Sequence, residues 1–395
     1  MTTKFTVIIP TRERGATLKH AIETCVGQDY DNLEILVSDN ASEDNTKEIV
    51  HAFKDSRIRY VNPGRRVSMV ENFEFAFSHV QEGYVVSIGD DDGLVVGALQ
   101  KADALIKATG AQAITSDFAQ YMWPNIETSA ANQLMFSPRR GYEMRNSQEY
   151  LNKVLYRRHP FNHLPCIYYG FIDCQLINQL RAKQGGRLFM TSVVDVYTSI
   201  ALTANLKDYC FSFEPLTING TSGRSNGASF MRISKDESEK KRWFAENTVT
   251  KQAPFYASGG IKMLIAEACN AMQASDPHAL VSPPIDYNEL LQQAIEDLVL
   301  YPKFGFEEAS ILTLARDFGA NVHSPGAWRK FKAKAHLYAD RAPKFLRAVM
   351  VDASQYGAME VNTAAQLMAR LEQKSLLGLS LSKFPMLAKR FFAVR

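Results

Sequence analysis

The 395-residue chain reads as an α/β fold: a mainly parallel central sheet with helices on both faces, followed by a helical C-terminal region. Three observations predict it. Through roughly the first 120 residues, short β-branched and aromatic runs alternate with stretches of helical spacing, as in βαβ units. Acidic, amide and basic residues gather just after those runs, where open α/β sheets bind their ligands. Beyond about residue 230 strand-like runs become rare and helical spacing dominates.

Taken in order, residues 5–9 (FTVII) read as a buried strand that Pro10 ends. Residues 17–26 have helical spacing, with Leu18, Ala21, Ile22 and Cys25 on one face. Residues 33–37 (LEILV) form the second strand, 44–53 a helix with Ile49, Val50 and Phe53 inward, and 57–61 a short third strand. A helix over 70–80 leads to a fourth strand at 84–88 (YVVSI), then a helix at 95–109 and a fifth strand at 111–116. From 121 to 158 Pro, Asn and Arg clusters predict loops around one helix near 147–156. Residues 166–171 are strand-like, and 174–183 and 193–206 helical. A charged connector (SKDESEKKR, 234–242) follows. Helices are then expected near 258–273, 287–300, 306–318, 326–350 and 358–374. The expected division is 1–230, mixed α/β, and 231–395, helical.

Composition is globular, with 46% hydrophobic and 22% charged residues. The net charge of +3 names no polyanionic partner and gives no sign of nucleic-acid binding. Its distribution is uneven: residues 321–395 hold 13 Lys/Arg against 4 Asp/Glu, a net of +9 on a mildly acidic body. Five widely spaced cysteines without a C-x-x-C pair argue against a disulfide framework or zinc ribbon and fit a reducing compartment. The apolar run at the N-terminus is too short for a signal peptide, and no stretch has the ~20 apolar residues of a membrane span. The expectation is a cytoplasmic protein, able to sit peripherally on the inner membrane face.

The sharpest feature is Gly89-Asp90-Asp91-Asp92-Gly93 after the fourth strand. Three adjacent carboxylates repel one another and call for a cation. Oxygen-only ligands suit Mg²⁺ or Mn²⁺, which keep places for substrate phosphates and so point to a nucleoside diphosphate. The other reading is a solvated acidic turn with Asp92 as a helix N-cap. Asp39-Asn40, after the second strand, reads by residue type as an Asx-turn, or else as a carboxylate that accepts from a base or ribose. Arg65 and Arg66 could bind diphosphate or simply be solvated.

At this point the pattern resembles glycosyltransferase family 2, which has the GT-A fold. VIIPTRER is similar to the family's opening strand and turn. QDYDNLEILVSDNASEDNTKEIV (28–50) resembles its Q-x-Y-x-N-x-E…D-[DN]-x-S-x-D-x-T segment, VENFEFAF its Asn-containing helix, and GDDDG its metal-binding D-x-D. The likeness spans residues 4–117 well and continues weakly to about 230. It implies an inverting transfer of sugar from a nucleotide sugar to a glycan or lipid-linked glycan hydroxyl, as in surface polysaccharide biosynthesis. It also implies that Pro10, Thr11, Arg12, Glu13, Asp39, Asn40, Arg65, Arg66 and Asn72 line the nucleotide-sugar pocket with Asp90 and Asp91. Asp92 would be the principal ligand of Mn²⁺ or Mg²⁺, with Asp90 beside it. The chain has Gly89 where the family's string begins with an acid, which leaves the register open by one residue.

The family's base, an Asp opening a helix beyond the D-x-D, falls on Asp195 in TSVVDVYTSIAL; by local sequence Asp195 is equally a helix start. The family's loop His is absent from NGTSGRSNGAS (219–229), and Arg224 would supply the positive charge instead. His159 and His163 precede YYGF as candidates for acceptor or phosphate contact. The basic segments 328–347 and 376–395, with interleaved aromatics, read either as an anionic membrane surface or as a helical cap with a solvated face; a homo-oligomer is a further expectation. The competing functions are a nucleotidyltransferase, for which PTRERGAT is a poor phosphate loop, and a non-catalytic carbohydrate-binding protein on a transferase fold.

Overall fold

The computed structural model describes residues 2–117, 119–225, 260–276, 284–300, 308–335 and 348–373. The connector 234–242 and the basic segment 376–395 lie outside them.

The central sheet is built as the alternation predicts. β1 (Phe5–Thr11), β2 (Leu33–Asp39), β3 (Ile58–Val61) and β4 (Tyr84–Ser87) are parallel, with β1 between β2 and β4. α1 (Gly15–Val26), α2 (Thr46–Ala52) and α3 (Met69–Ser78) make the crossovers. The sheet continues through β10 (Phe171–Asp173), antiparallel to its neighbours, then β6 (Ala113–Ser116), β11 (Asp208–Ser212) and β9 (Tyr142–Asn146), eight strands in all.

One expectation is corrected at the first strand: β1 runs through Pro10 to Thr11. Thr11 offers its carbonyl to Asn40 on the β2 side, and Ile8 offers its own to Ile88 on the β4 side. Pro10 therefore turns its missing N–H toward β4, whose pairing with β1 has already stopped at Ser87. No ladder bond is lost, so the proline is tolerated.

Side-chain alternation divides the interior into two cores, one on each face of the sheet. Ile8, Leu36, Val85 and Ile172 face one, with α3, α5 (Ser147–Tyr156), α6 (Cys174–Lys183) and α7 (Val194–Ala204). Val7, Ile9, Ile35, Val37 and Val86 face the other, with α1 and α4 (Ala98–Thr109).

The later segments join both cores. α8 (Gly260–Ser275), α9 (Tyr287–Leu300) and α10 (Glu308–Asp317) extend the α7 side through Met263, Leu290, Ile295 and Ile311. A helix α11 follows at 327–335. The expected helix over 326–350 stops short, because Val349–Asp352 is a strand, β13, antiparallel to β8 (Gln133–Phe136). α12 (Val361–Gln373) then packs on the α1 side through Val361, Ala364, Leu367, Met368 and Leu371.

β13 and β8 belong to a second sheet, ordered β13, β8, β7 (Ala119–Met122), β12 (Thr217–Thr221), β5 (Gly93–Leu94). None of these strands is among the expected ones: β8 falls in the loop region expected over 121–158, and β13 begins inside the helix expected over 326–350. The strands of this sheet are two to five residues long and carry no extended apolar run. The strand expected at 166–171 is also corrected: residues 166–170 run irregularly, with Tyr169 at φ +67, and Phe171 alone enters β10.

Candidate active site

The C-terminal ends of β1, β2 and β4 meet at one edge of the sheet, and the loop after β12 closes over them. Asp90, Asp91 and Asp92 are 3, 5 and 1% exposed, so the solvated-turn reading of this run is set aside. Asp90 accepts from the Thr11 hydroxyl (2.8 Å) and from Arg14 Nη1 (3.1 Å). Asp91 Oδ2 accepts from the Ser222 backbone N–H (3.2 Å) and hydroxyl (2.5 Å), and its carbonyl from Trp123 Nε1 (2.8 Å). Asp92 takes three donors: Gly89 N–H (2.6 Å) and the Tyr169 hydroxyl (2.9 Å) on Oδ2, and Gly220 N–H (2.7 Å) on Oδ1. Asp91 Oδ1 accepts no hydrogen bond from a described residue. Burial first, and then the neighbouring carboxylates, push the Asp91 and Asp92 carboxyls well above the usual carboxylate range.

Two glycines permit this packing. A Cβ at Gly220 would lie 1.7 Å from the Asp91 carbonyl oxygen, so only glycine lets the β12 strand approach. A Cβ at Gly89 would lie 2.5 Å from the Tyr168 hydroxyl and 2.7 Å from Asp92 Oδ2. The Tyr168 hydroxyl thus fills the space that a side chain at position 89 would need.

The stretch that carries Tyr168 meets the helix that begins at Val194, where Ile167 N–H donates to the Thr198 hydroxyl (3.4 Å). The Tyr168 phenol is pushed up by burial and then by Asp92, Asp91, Asp90 and Asp195. Asp195 stands in the first turn of α7, half-buried. Burial raises its pKa, against the backbone N–H groups of Val196 and of Asp195 itself. The helix-start reading of Asp195 is thus met by its place in the first turn.

The remaining predicted residues divide into two groups. Glu13, Arg66 and Arg224 form a rim with Arg14. Arg66 donates to Glu13 Oε1, Arg224 Nη1 to the Glu13 carbonyl (3.2 Å), and Arg14 Nη2 to the Arg224 carbonyl. Glu13, at φ +56, also accepts from the backbone N–H groups of Glu43 (3.0 Å) and Asp44 (3.1 Å). Arg12 and Pro10 are half-buried beside them, and Arg65 is exposed.

Asp39, Asn40 and Asn72 are instead committed to the protein. Asp39 is 1% exposed and accepts from Ser42 N–H (3.0 Å), the Ser42 hydroxyl (2.6 Å) and the Tyr60 hydroxyl (2.7 Å). Asn40 exchanges two bonds with the Val67 backbone (2.8 and 2.9 Å), and Asn72 two with Ser38 (2.9 and 3.2 Å). These pairs brace β2 against α3. His163 Nδ1 lies 3.1 Å from His159 Nε2, and His163 Nε2 lies 3.6 Å from Asp117 Oδ1 at the end of β6.

Sequence reasoning missed Arg14, Tyr168, Tyr169, Trp123 and Ser222. Arg14 was within reach, since it continues the string Thr11-Arg12-Glu13. The others come from the irregular 166–170 stretch and from short strands, where no periodic signal marks them.

Three buried acids against one guanidinium leave an excess of negative charge, which suits a hard divalent cation. Among the described residues no group of three His, Cys, Asp or Glu side chains is arranged to enclose a metal. The fit is to a cation held by one or two carboxylates and completed by substrate oxygens, with Asp91 Oδ1 the atom left over for it.

Comparison with known proteins agrees with this geometry. Residues 6–171 match the model of Glycosyl transferase family 2. This segment is a family 2 glycosyltransferase domain. It contains β1, β2, β4 and the three acids, whereas Asp195, Gly220 and Arg224 lie beyond the matched segment. A Campylobacter jejuni protein, GalNAc(5)-diNAcBac-PP-undecaprenol beta-1,3-glucosyltransferase, is 36% identical over 99 residues, 24% of this chain and 32% of that protein. Glycosyltransferase GlyG of Streptococcus pneumoniae is 23% identical over 123 residues, 31% of this chain and 41% of that protein. The chain thus matches less than half the length of either relative. Among solved structures, S. aureus TarS 1–349 in complex with UDP-GlcNAc aligns at 12% identity and a TM-score of 0.47, covering 82% of this chain and 97% of that one.

Proposed function

We propose that the chain is an inverting glycosyltransferase. It would move a sugar from a nucleoside-diphosphate sugar to a hydroxyl of a glycan or lipid-linked glycan, in the making of a surface polysaccharide. The observation that carries this reading is the buried set Asp90–Asp92 at the ends of the parallel strands, paired among the described residues with the single guanidinium of Arg14. The Campylobacter relative, named for transfer to an undecaprenol-linked glycan, supports the acceptor class.

In this reading Asp91, with Asp90, holds Mn²⁺ or Mg²⁺, and Asp92 is the brace beneath them, because backbone donors fill both of its oxygens. When bound, the cation neutralises the diphosphate leaving group. Thr11, Arg12, Glu13, Arg14, Arg66 and Arg224 form the donor rim, where fixed positive charge meets phosphate. Asp39, with three donors already on its oxygens, keeps one acceptor position on Oδ2 for a base or ribose, while Asn40 and Asn72 hold the strand that carries it. Asp195 takes the proton from the acceptor hydroxyl. Its burial makes it a stronger base than a solvated aspartate. Residues 1–230 supply every side chain invoked, and the later segments support the sheet from both faces.

Asp195→Asn tests this. Thermal shifts with UDP-, GDP- and dTDP-sugars plus Mn²⁺ should be unchanged, while transfer falls about 10²- to 10⁴-fold. Normal turnover would remove Asp195 as the base. A chain that shifts with nucleotide sugar but transfers nothing in the unsubstituted form would be a binding protein instead, and release of diphosphate from a nucleoside triphosphate would favour the nucleotidyltransferase.

A further inference from the structure

Helix α11 (327–335) turns almost all of its surface outward: Ala333 is buried, and the other eight residues are exposed. Trp328 is 73% exposed and Phe331 61%, the two most exposed large apolar side chains among the described residues. Three residues apart on a helix, they share a face, and their rings stack with centroids 5.8 Å apart and planes at 24°. Ala333 points the opposite way. The aromatic pair is therefore the outermost feature of the helix and not an imperfectly covered core contact.

The charge along this stretch of the chain has one sign. No Asp or Glu occurs between Asp317 and Asp340, while Arg329, Lys330, Lys332 and Lys334 are all exposed. Arg329 is paired with Glu296 at 3.3 Å. Lys330, Lys332 and Lys334 make no ion pair with a described residue. Exposed aromatics ringed by lysines oppose solution behaviour on one count and complement one surface on two. Indole and phenyl rings settle at the headgroup level of a bilayer, and lysines are drawn to its anionic phosphates.

We propose that the Trp328–Phe331 face of α11 docks on an anionic phospholipid surface, the ring pair entering the headgroup layer and Lys330, Lys332 and Lys334 meeting lipid phosphates. Neither the carboxylate cluster nor the proposed transfer enters this argument, so the two readings can fail separately.

The test is co-sedimentation of the full chain with vesicles of phosphatidylglycerol and phosphatidylcholine, against phosphatidylcholine alone. Binding should require the anionic lipid and weaken as salt rises. Trp328→Ser with Phe331→Ser should weaken it at least about tenfold, and Lys330→Glu with Lys332→Glu and Lys334→Glu should remove the preference for anionic lipid. All these side chains are exposed, so the variants should melt with the unsubstituted chain. No binding to anionic vesicles overturns the proposal, as does binding that ignores both sets of substitutions. A dimer that dissociates on the aromatic substitutions also overturns it, since the face would then cover a second copy of the chain.

Discussion

Behind strand β4, Asp90, Asp91 and Asp92 meet one ion-paired guanidinium among the described residues, that of Arg14. Behind helix α5, Arg158, Lys262 and Arg329 face Glu296 and Asp297, so both anions are matched by cations. Arg158 donates to Glu296 Oε2 (2.9 Å) and to Asp297 Oδ1. Lys262 Nζ caps the end of α5 by donating to the carbonyls of Val154 (2.6 Å) and Leu155 (3.0 Å). The three acids are buried, whereas in the second cluster Lys262 is buried and Arg158, Glu296 and Asp297 are half-buried. The second is balanced by the chain's own side chains, so it acts as a joint between α5, α8 and α9. The first is left short of positive charge, a state that burial makes costly and that a bound cation would relieve. On the proposed reading, unmatched buried charge marks the cation site and matched charge the joint.

The contrast can be broken at its balanced end. Arg158→Ala should cost about 3 kcal/mol of unfolding free energy, because it strands the Asp297 carboxylate and leaves Glu296 only its exposed partner Arg329. Urea denaturation measures this, and nucleotide-sugar affinity should hardly move. A loss well below 1 kcal/mol would mean that solvent already screens the pairs.

Glu267 of α8 sharpens the comparison, being a buried acid outside both clusters. It is 3% exposed, and burial alone raises it from 4.5 to about 7. The folded state then binds more protons than the unfolded state between about pH 4.5 and 7, so stability falls as pH rises through that window. Glu267→Gln should raise stability at pH 8 by up to about 3 kcal/mol and flatten this slope. An unchanged profile of melting temperature against pH would show that Glu267 finds a partner when ionised.

At the unbalanced end, Asp91→Asn should abolish the added stability conferred by Mn²⁺ with nucleotide, about 2.7 kcal/mol at a hundredfold excess over Kd. Asp92→Asn should instead destabilise the chain without metal, since it disturbs an oxygen pair held by backbone N–H groups. The reverse pattern would return the principal ligand role to Asp92.

The four parallel strands, their helices and the acids after β4 were legible in the sequence. Buried strands there are continuous apolar runs, and the helices between them keep one apolar face. The short strands of the second sheet were not legible, because two to five residues give too little periodicity and their cross-strand partners are distant: Gly93 pairs with Ile218 and Phe136 with Val349. The same distance hid Ser222, Trp123 and Tyr168.

The sequence by itself determined which residue types stand at the strand ends, since local alternation decides where each strand stops and a polar residue can follow. The tertiary structure alone decided what each of those residues does. Asp91 differs from Asp92 because Gly89 and Gly220 bring their N–H groups to one carboxylate and leave an oxygen of the other open. Hydrogen bonds reach only about 3 Å, and which donor comes that close is settled by contacts between segments more than a hundred residues apart.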